Sequence, residues 1–486
     1  MEQSQLLELL SSLSPEEGKQ LLEFSGLSYL STTKVRAQIT PLLQVCFQHL
    51  FEGNPKELNK QEIFQLIFPE QAYVEGKLEK AMVEAHKMTR NFLISQYFLR
   101  PENEFYQHYD FAEIIRQRGL ALRHKNTLNK LKKFLEEEPV HHNLRFHQQY
   151  LIELAFLNHE SIHNKVKGDL NIPNCLDALD LHHYTNRLAL FNNYLLQGKV
   201  AKMMEPEEMT QRFAETNVPE RYLSKSPVLK LNFTIYNLLR KEDHETEDVY
   251  LLYELIESNQ KNIDTEHLNG YYTYLRNICT LILTKHPDRL DVNQILFDLY
   301  KKMLERGFIL YEGKIHPSRY LAITDCAIKA AELPWVCEFI EKYKDEIIGE
   351  NETKDVYRLN LALYNFAIGK YEECADLIPP NPPFVDYLFT SKRLELKVHY
   401  ELKSNFYSYR LDAFKMFISR TSSKLISEDR KQAYLNFLNF LAQLSASIPG
   451  DKKRAETLLK RIQEKKQVAE WRWLLSKAEA LKNRNH

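Results

Sequence analysis

Apolar side chains recur along this chain at steps of three and four residues, and almost nowhere at steps of two. Leu181, Tyr184, Leu188, Phe191 and Leu195 run down one side of a predicted helix. Leu78, Met82, Ala85, Met88, Phe92 and Ser95 do the same for a long helix predicted from about Val74. No alternating run lies between hairpin-type turns, so strands are not predicted. Capping chemistry marks where helices begin. Ser14-Pro15-Glu16-Glu17 places an N-cap serine, a proline at the first helical position and a glutamate at N3 ahead of Leu21, Leu22 and Phe24. Asn59 with Glu62 repeats that grammar, and Pro206, Ser226-Pro227, Thr246 and Thr265 mark later starts. The pattern predicts an all-α chain.

The last third is the most regular. Tyr357, Leu361, Tyr364 and Ile368 form one helical face that stops at Gly369-Lys370, and Tyr371, Cys374, Ala375 and Ile378 form the next. Leu333-Pro334 precedes a helix carrying Trp335, Val336, Phe339 and Ile340, and Phe406 opens another with Ala413, Phe414 and Phe417. Trp335, Tyr371 and Phe406 thus begin second helices at intervals of 36 and 35 residues, the period of stacked helical hairpins.

The stretch LNLALYNFAIGKYEECADLI resembles a tetratricopeptide repeat. Leu361-Ala362 match its small packing pair, Gly369-Lys370-Tyr371 its turn, and Cys374 the alanine of its second helix; Arg358 departs from the aromatic expected early in the first helix. The resemblance covers about 315–482 well, 140–315 weakly and 1–110 not at all. The chain as a whole resembles bacterial helical-repeat proteins of unassigned function that carry a short helical N-terminal module. What this implies is an α-solenoid of stacked antiparallel helix pairs, with no catalytic residues and no cofactor. Three segments follow: an N-terminal helical module over 1–110, degenerate helical repeats over 111–315, and tetratricopeptide-like repeats over 316–486. Trp471, Trp473, Leu474 and Leu475 begin a last helix expected to cap the open end of the array.

Composition narrows the chemistry. The chain has only 13 glycines in 486 residues, no two closer than Gly307 and Gly313. No Gly-rich phosphate loop and no G-x-S-x-G elbow can therefore be present, since each needs tighter spacing. Lys plus Arg (65) nearly cancels Asp plus Glu (66), which supplies no global field for nucleic acid or an anionic membrane. Cys46, Cys175, Cys279, Cys326, Cys337 and Cys374 are scattered without a C-x-x-C, as suits reduced thiols on apolar faces. The N-terminal stretch lacks the basic start of a signal peptide, and no apolar run reaches the ~18–20 residues of a membrane span. A cytoplasmic location is expected.

Four segments could carry chemistry or binding. His159-Glu160-Ser161-Ile162-His163 is a literal H-E-x-x-H, in which two histidines one turn apart could grip zinc while the glutamate activates water. It lies in a histidine-rich stretch with His141, His142, His147, His182 and His183, with Asp177 and Asp180 as further carboxylates. Arg116, Arg118, Arg123, Lys125, Lys130, Lys132 and Lys133 make 111–135 basic before Glu136-Glu137-Glu138 reverses the sign. Pro379-Pro380-Asn381-Pro382-Pro383 satisfies P-x-x-P but reads as a spacer between helices. Lys452, Lys453, Arg454, Lys460, Arg461, Lys465 and Lys466 form a C-terminal basic cluster.

The expected function is a non-enzymatic scaffold that binds a protein or peptide on first helices within 317–402. The alternatives are a zinc-dependent hydrolase built on His159, Glu160 and His163, and a nucleic-acid-associated regulator using the basic stretches.

Overall fold

The computed structural model describes residues 4–27, 32–51, 59–137, 143–163, 171–201, 206–350, 352–422, 425–448, 450–465 and 467–483, without the side chains of 33–34, 143, 160–163 and 200–201. Helix accounts for 79% of the described residues. The fold is all-α. The chain divides into two compact units, residues 1–137 with 148–175, and residues 138–147 with 176–486.

In the first unit, α1 (Gln5–Ser11), α2 (Pro15–Ser25), α3 (Thr33–Phe51), α4 (Lys60–Ile67) and α5 (Lys77–Phe98) surround one core of Leu6, Leu21, Leu42, Phe64, Leu78 and Phe92 among others. The predicted capping box at the start of α2 is present. The Ser14 hydroxyl accepts from the Glu17 amide at 3.2 Å, and the Glu17 carboxylate accepts from the Ser14 amide at 2.8 Å. Asn59 likewise caps α4. Helices α2 and α3 approach so closely at Gly18 that an added Cβ would stand 2.7 Å from the Phe47 ring. After a short 3-10 turn at Pro101–Asn103, α6 (Glu104–Gln117), α7 (Ala121–Glu137) and α8 (Asn143–His163) bring Phe105, Ala112, Leu128, Leu131 and Ile152 into a second, smaller core.

The second unit takes in α9 (Ile172–Ala201) from Leu176 onward, whose predicted face buries Leu181, Leu188, Phe191 and Leu195. It continues through α10 (Glu207–Ala214), α11 (Glu220–Leu223), α12 (Pro227–Arg240), α13 (Thr246–Asn259), α14 (Thr265–Lys285) and α15 (Leu290–Glu305). A two-residue hairpin interrupts the helices: β1 (Leu310–Tyr311) pairs with β2 (Lys314–Ile315) around Glu312 and Gly313, both at positive φ. Then come α16 (Pro317–Lys329), α17 (Leu333–Tyr343), α18 (Thr353–Ala367), α19 (Tyr371–Leu377), α20 (Val385–Glu401), α21 (Tyr407–Arg420), α22 (Glu428–Ser445), α23 (Lys452–Glu464) and α24 (Trp471–Asn483). From α11 onward each helix packs on the next, and α16 on α18 and α18 on α20 as well.

Three alternate helices end in one way. After α16, α18 and α20 the chain turns through a left-handed residue, at Ala331 (φ 61°), Gly369 (φ 82°) and Lys403 (φ 49°). In each case two amides fold back onto carbonyls of the last turn: Lys370 N–H reaches Asn365 O at 2.9 Å, Glu332 reaches Ala327 at 3.1 Å, and Ser404 reaches His399 at 3.0 Å. These are Schellman ends, and only one of them uses glycine.

Two readings of the sequence need correction. Phe406 does not start a buried face: it is the N-cap of α21 and is 68% exposed, while Tyr407 turns inward and donates to Leu441 O at 3.1 Å. An N-cap lies outside the helical phase, so the first inward position falls one residue later. Trp335 and Tyr371 are half-buried instead of fully enclosed; Trp335 stacks on Phe339 and meets the edge of Phe297. The face of α18 is also rotated. Its enclosed residues are Val356, Leu359, Asn360, Ala362 and Asn365, and Tyr357, Leu361 and Tyr364 are only half-buried. This helix touches α16, α17, α19 and α20, and the closest approaches take the smallest side chains.

A polar chain runs through that packing. Asn360 donates to Val356 O and to the Tyr387 hydroxyl at 3.1 Å, and Tyr387 donates to Pro317 O at 2.8 Å, tying α18, α20 and α16 together.

Gly369→Ala should lower stability by about 1 kcal/mol, because nothing crowds the added Cβ and the whole cost is the left-handed backbone. Lys403→Gly should act in the opposite direction by about 0.5 kcal/mol. Urea unfolding of the two variants beside the parent chain measures both.

Candidate functional site

Side chains of the second unit form a charged cluster. Glu470 lies just before α24 at positive φ (56°), so its carboxylate turns back onto α20. There it meets Lys397 Nζ at 2.7 Å and Arg393 at 3.4 Å. Burial alone would push the Glu470 pKa up. The charges of Lys397, Arg393 and Lys329 outweigh that and hold it down, to about 2. Lys397 is buried, with its ammonium over the Phe366 ring at 4.4 Å. Lys329, at the end of α16, pairs with Asp325 at 2.5 Å. It is half exposed. Arg430 on α22 pairs with Asp386 at the start of α20 at 2.9 Å and lies beside Tyr434.

The first turn of α24 reaches further than a cap on the last repeat would. Arg472 donates to Lys329 O at 3.2 Å and to Pro287 O at 3.0 Å, and the Trp473 indole donates to Glu401 at 2.9 Å. The last helix therefore closes on helices that precede it by more than a hundred residues, as well as packing on α22 and α23.

The sequence candidates fall elsewhere. The backbone of the H-E-x-x-H segment is helical, within α8. His159 is buried, and its Nδ1 stands 3.0 Å from Nδ1 of His124 on α7, so one ring donates and the other accepts. The side chains of Glu160 and His163, together with His141 and His142, lie outside the described residues. Asp177 and Asp180 both accept from the Tyr222 hydroxyl, at 3.1 and 2.6 Å, and Asp177 also pairs with Lys225. His147 and His182 face each other with ring centroids 5.2 Å apart, and burial, then His147 and His183, push the His182 pKa down. Among the described residues no three His, Cys, Asp or Glu side chains are grouped to hold a metal ion.

The basic stretches are partly neutralised by their own neighbours. In 111–135, Arg116 pairs with Glu113, Lys132 with the buried Glu153, and Lys133 with Glu137. In the C-terminal cluster Lys460 faces Glu464 and Arg461 donates to Gln443, within a polar groove between α22 and α23 that Asn436, Asn439 and Lys465 also line. Lys466 lies outside the described residues. Pro379 and Pro382 are buried between α19 and α20, with Pro379 O accepting from Ser391 at 2.6 Å, while Pro380 and Pro383 are exposed. In the first unit, Tyr97, Leu99, Phe111, Ile114 and Leu122 are exposed. No helix among the described residues is long and apolar enough to cross a membrane.

Comparison with models of known protein families, with curated proteins and with solved structures gave no match.

Glu470→Gln should destabilise the second unit by roughly 2–4 kcal/mol at neutral pH, because it strands Lys397 and Arg393. A depressed folded pKa contributes stability that is present above the unfolded value and is lost as pH falls through the folded one. The gap between the parent chain and Glu470→Gln should therefore narrow from about pH 4.5 down to about 2. Denaturant unfolding of both proteins across that range tests the sign.

Proposed function

We propose that this chain is a non-enzymatic scaffold that holds a protein or peptide partner. In this reading it is an α-solenoid of stacked helix pairs, tetratricopeptide-like from 316 onward, with degenerate repeats over 111–315 and a helical docking module over 1–110. The observation that carries it is the recurring unit. Helices α16, α18 and α20 each end in the same left-handed turn, and each is followed by a second helix with an aromatic at Trp335, Tyr371 or Tyr407. Those aromatics are 36 residues apart in both steps, the spacing of helical-hairpin arrays. First helices that pack on one another present a continuous row of side chains, and such rows bind extended or helical segments.

The charged cluster gives that row its chemistry. Five cations, Lys329, Arg393, Lys397, Arg430 and Arg472, face three carboxylates, Asp325, Asp386 and Glu470. A partner with acidic and aromatic groups suits this surface. The six free thiols suit a reducing, cytoplasmic setting.

Capture of partners by the tagged chain, repeated with nuclease and with raised salt, tests the scaffold. One specific protein should be retained under both conditions. Lys329→Ala and Arg430→Ala, at half-exposed positions, should each weaken its capture, the arginine more, by about 2 kcal/mol or ~30-fold. Loss of all bound material on nuclease treatment would move the assignment to nucleic acid.

A further inference from the structure

The connector between α12 and α13, residues 241–245, is exposed at every position but one. The exception is His244, which is 7% exposed and whose two ring nitrogens are both buried without a hydrogen-bond partner among the described residues. A neutral imidazole carries a donor at one nitrogen and an acceptor at the other, so this ring enters the fold with both unsatisfied. The connector around it is fastened from three helices. Lys199, near the end of α9, donates to Lys241 O at 2.8 Å. Lys285, the last residue of α14, donates to Glu242 O and pairs with Asp243 at 3.0 Å. Asp248, in the first turn of α13, accepts from Lys241 Nζ at 2.5 Å and from the Glu245 amide at 3.1 Å.

These contacts leave no place for another cation. Lys199, Lys241 and Lys285 already bring three ammonium groups to the connector. Among the carboxylates, Asp243 is taken by Lys285, Asp248 by Lys241, and Glu245 faces Arg289 at 3.6 Å, while Glu242 is exposed. A proton on the seated ring would therefore make a buried imidazolium with no acceptor to receive it. Burial first, and then Lys199, push the His244 pKa down; Asp248 opposes them, and Lys285 and Lys241 add to them.

We propose that His244 is an acid-sensitive latch: neutral, it seats the connector against α9, α13 and α14, and protonated, it leaves the interior and frees residues 241–245. No other side chain of the connector is buried, so release is a local opening and not the unfolding of a helix. An imidazole in the unfolded chain titrates near ~6.5. The seated ring titrates lower, so below that value the latched form binds fewer protons than the open one. The stability of the latch is thus present in full above the unfolded value and is lost as pH falls from there through the folded one. The latch does not depend on the scaffold reading.

Hydrogen–deuterium exchange of the full chain beside His244→Leu tests the latch. Comparing the two proteins at the same pH cancels the intrinsic effect of acid on exchange and removes every other titrating group from the difference. Over residues 241–249, the ratio of parent to variant exchange rates should rise about 5-fold between about pH 7.5 and about pH 5.5. Over α15 it should not change. A ratio that stays constant with pH, or one that rises evenly across α12–α15, overturns the proposal. A second measurement needs no stable leucine variant. NMR of the chain carrying labelled histidine, with the His244 signal identified by its loss in His244→Gln, reads the titration of the ring directly. A midpoint below the ordinary histidine value supports the latch, and one at or above ~6.5 overturns it.

Discussion

Every helix that ends inside a packed array leaves carbonyls without partners, and a chain made almost only of helices meets that problem at every connection. This protein meets it with two devices. One is the left-handed turn, which folds two amides back onto the last helical carbonyls after α16, α18 and α20, and again at Gly307 after α15. The other is the buried tyrosine hydroxyl. Tyr320 donates to Ile340 O and Tyr236 to Phe213 O, in the last turns of α17 and α10, while Tyr387 at Pro317 O and Tyr407 at Leu441 O join one helix to another without meeting a helix end. An aromatic ring packs as a hydrophobe while its hydroxyl satisfies a distant backbone group. The abundance of tyrosine and the scarcity of glycine are two sides of one solution.

That solution explains what could be read from the residues. Local chemistry was legible: the capping box at Ser14, the Ser226-Pro227 start of α12 and the apolar stripe of α9 all appear as the pattern predicts. The Gly369 turn was legible because glycine advertises positive φ. The equivalent turns at Ala331 and Lys403 were not, since neither residue signals a left-handed backbone and tertiary packing imposes it. Phase errors of one residue at Phe406 and on α18 arose where several neighbours compete for one helix. Glu470 gave no signal at all, because its partners lie some seventy residues away on α20.

The distribution of polarity inside the second unit is uneven in a telling way. Between α13 and α15 half-buried charges are neutralised within the chain, with Lys302 and Tyr272 both meeting Glu257. Around Glu470 the balance comes from residues some seventy positions earlier on α20. Arg276 on α14 is buried with no carboxylate at ion-pair distance among the described residues.

The six thiols offer a last consequence. Cys46, Cys279 and Cys374 are fully enclosed, and burial raises each pKa to about 12, so neither oxidants nor alkylating reagents find a thiolate at these three positions while the chain is folded. Cys46 sits in the core of α1–α5, and Cys279 and Cys374 sit in that of the second unit. The rate at which each becomes labelled is then a clock for the opening of its own neighbourhood, with no probe needing to be engineered in. Read in parallel, those clocks would tell whether the two cores breathe together or as separate cooperative blocks.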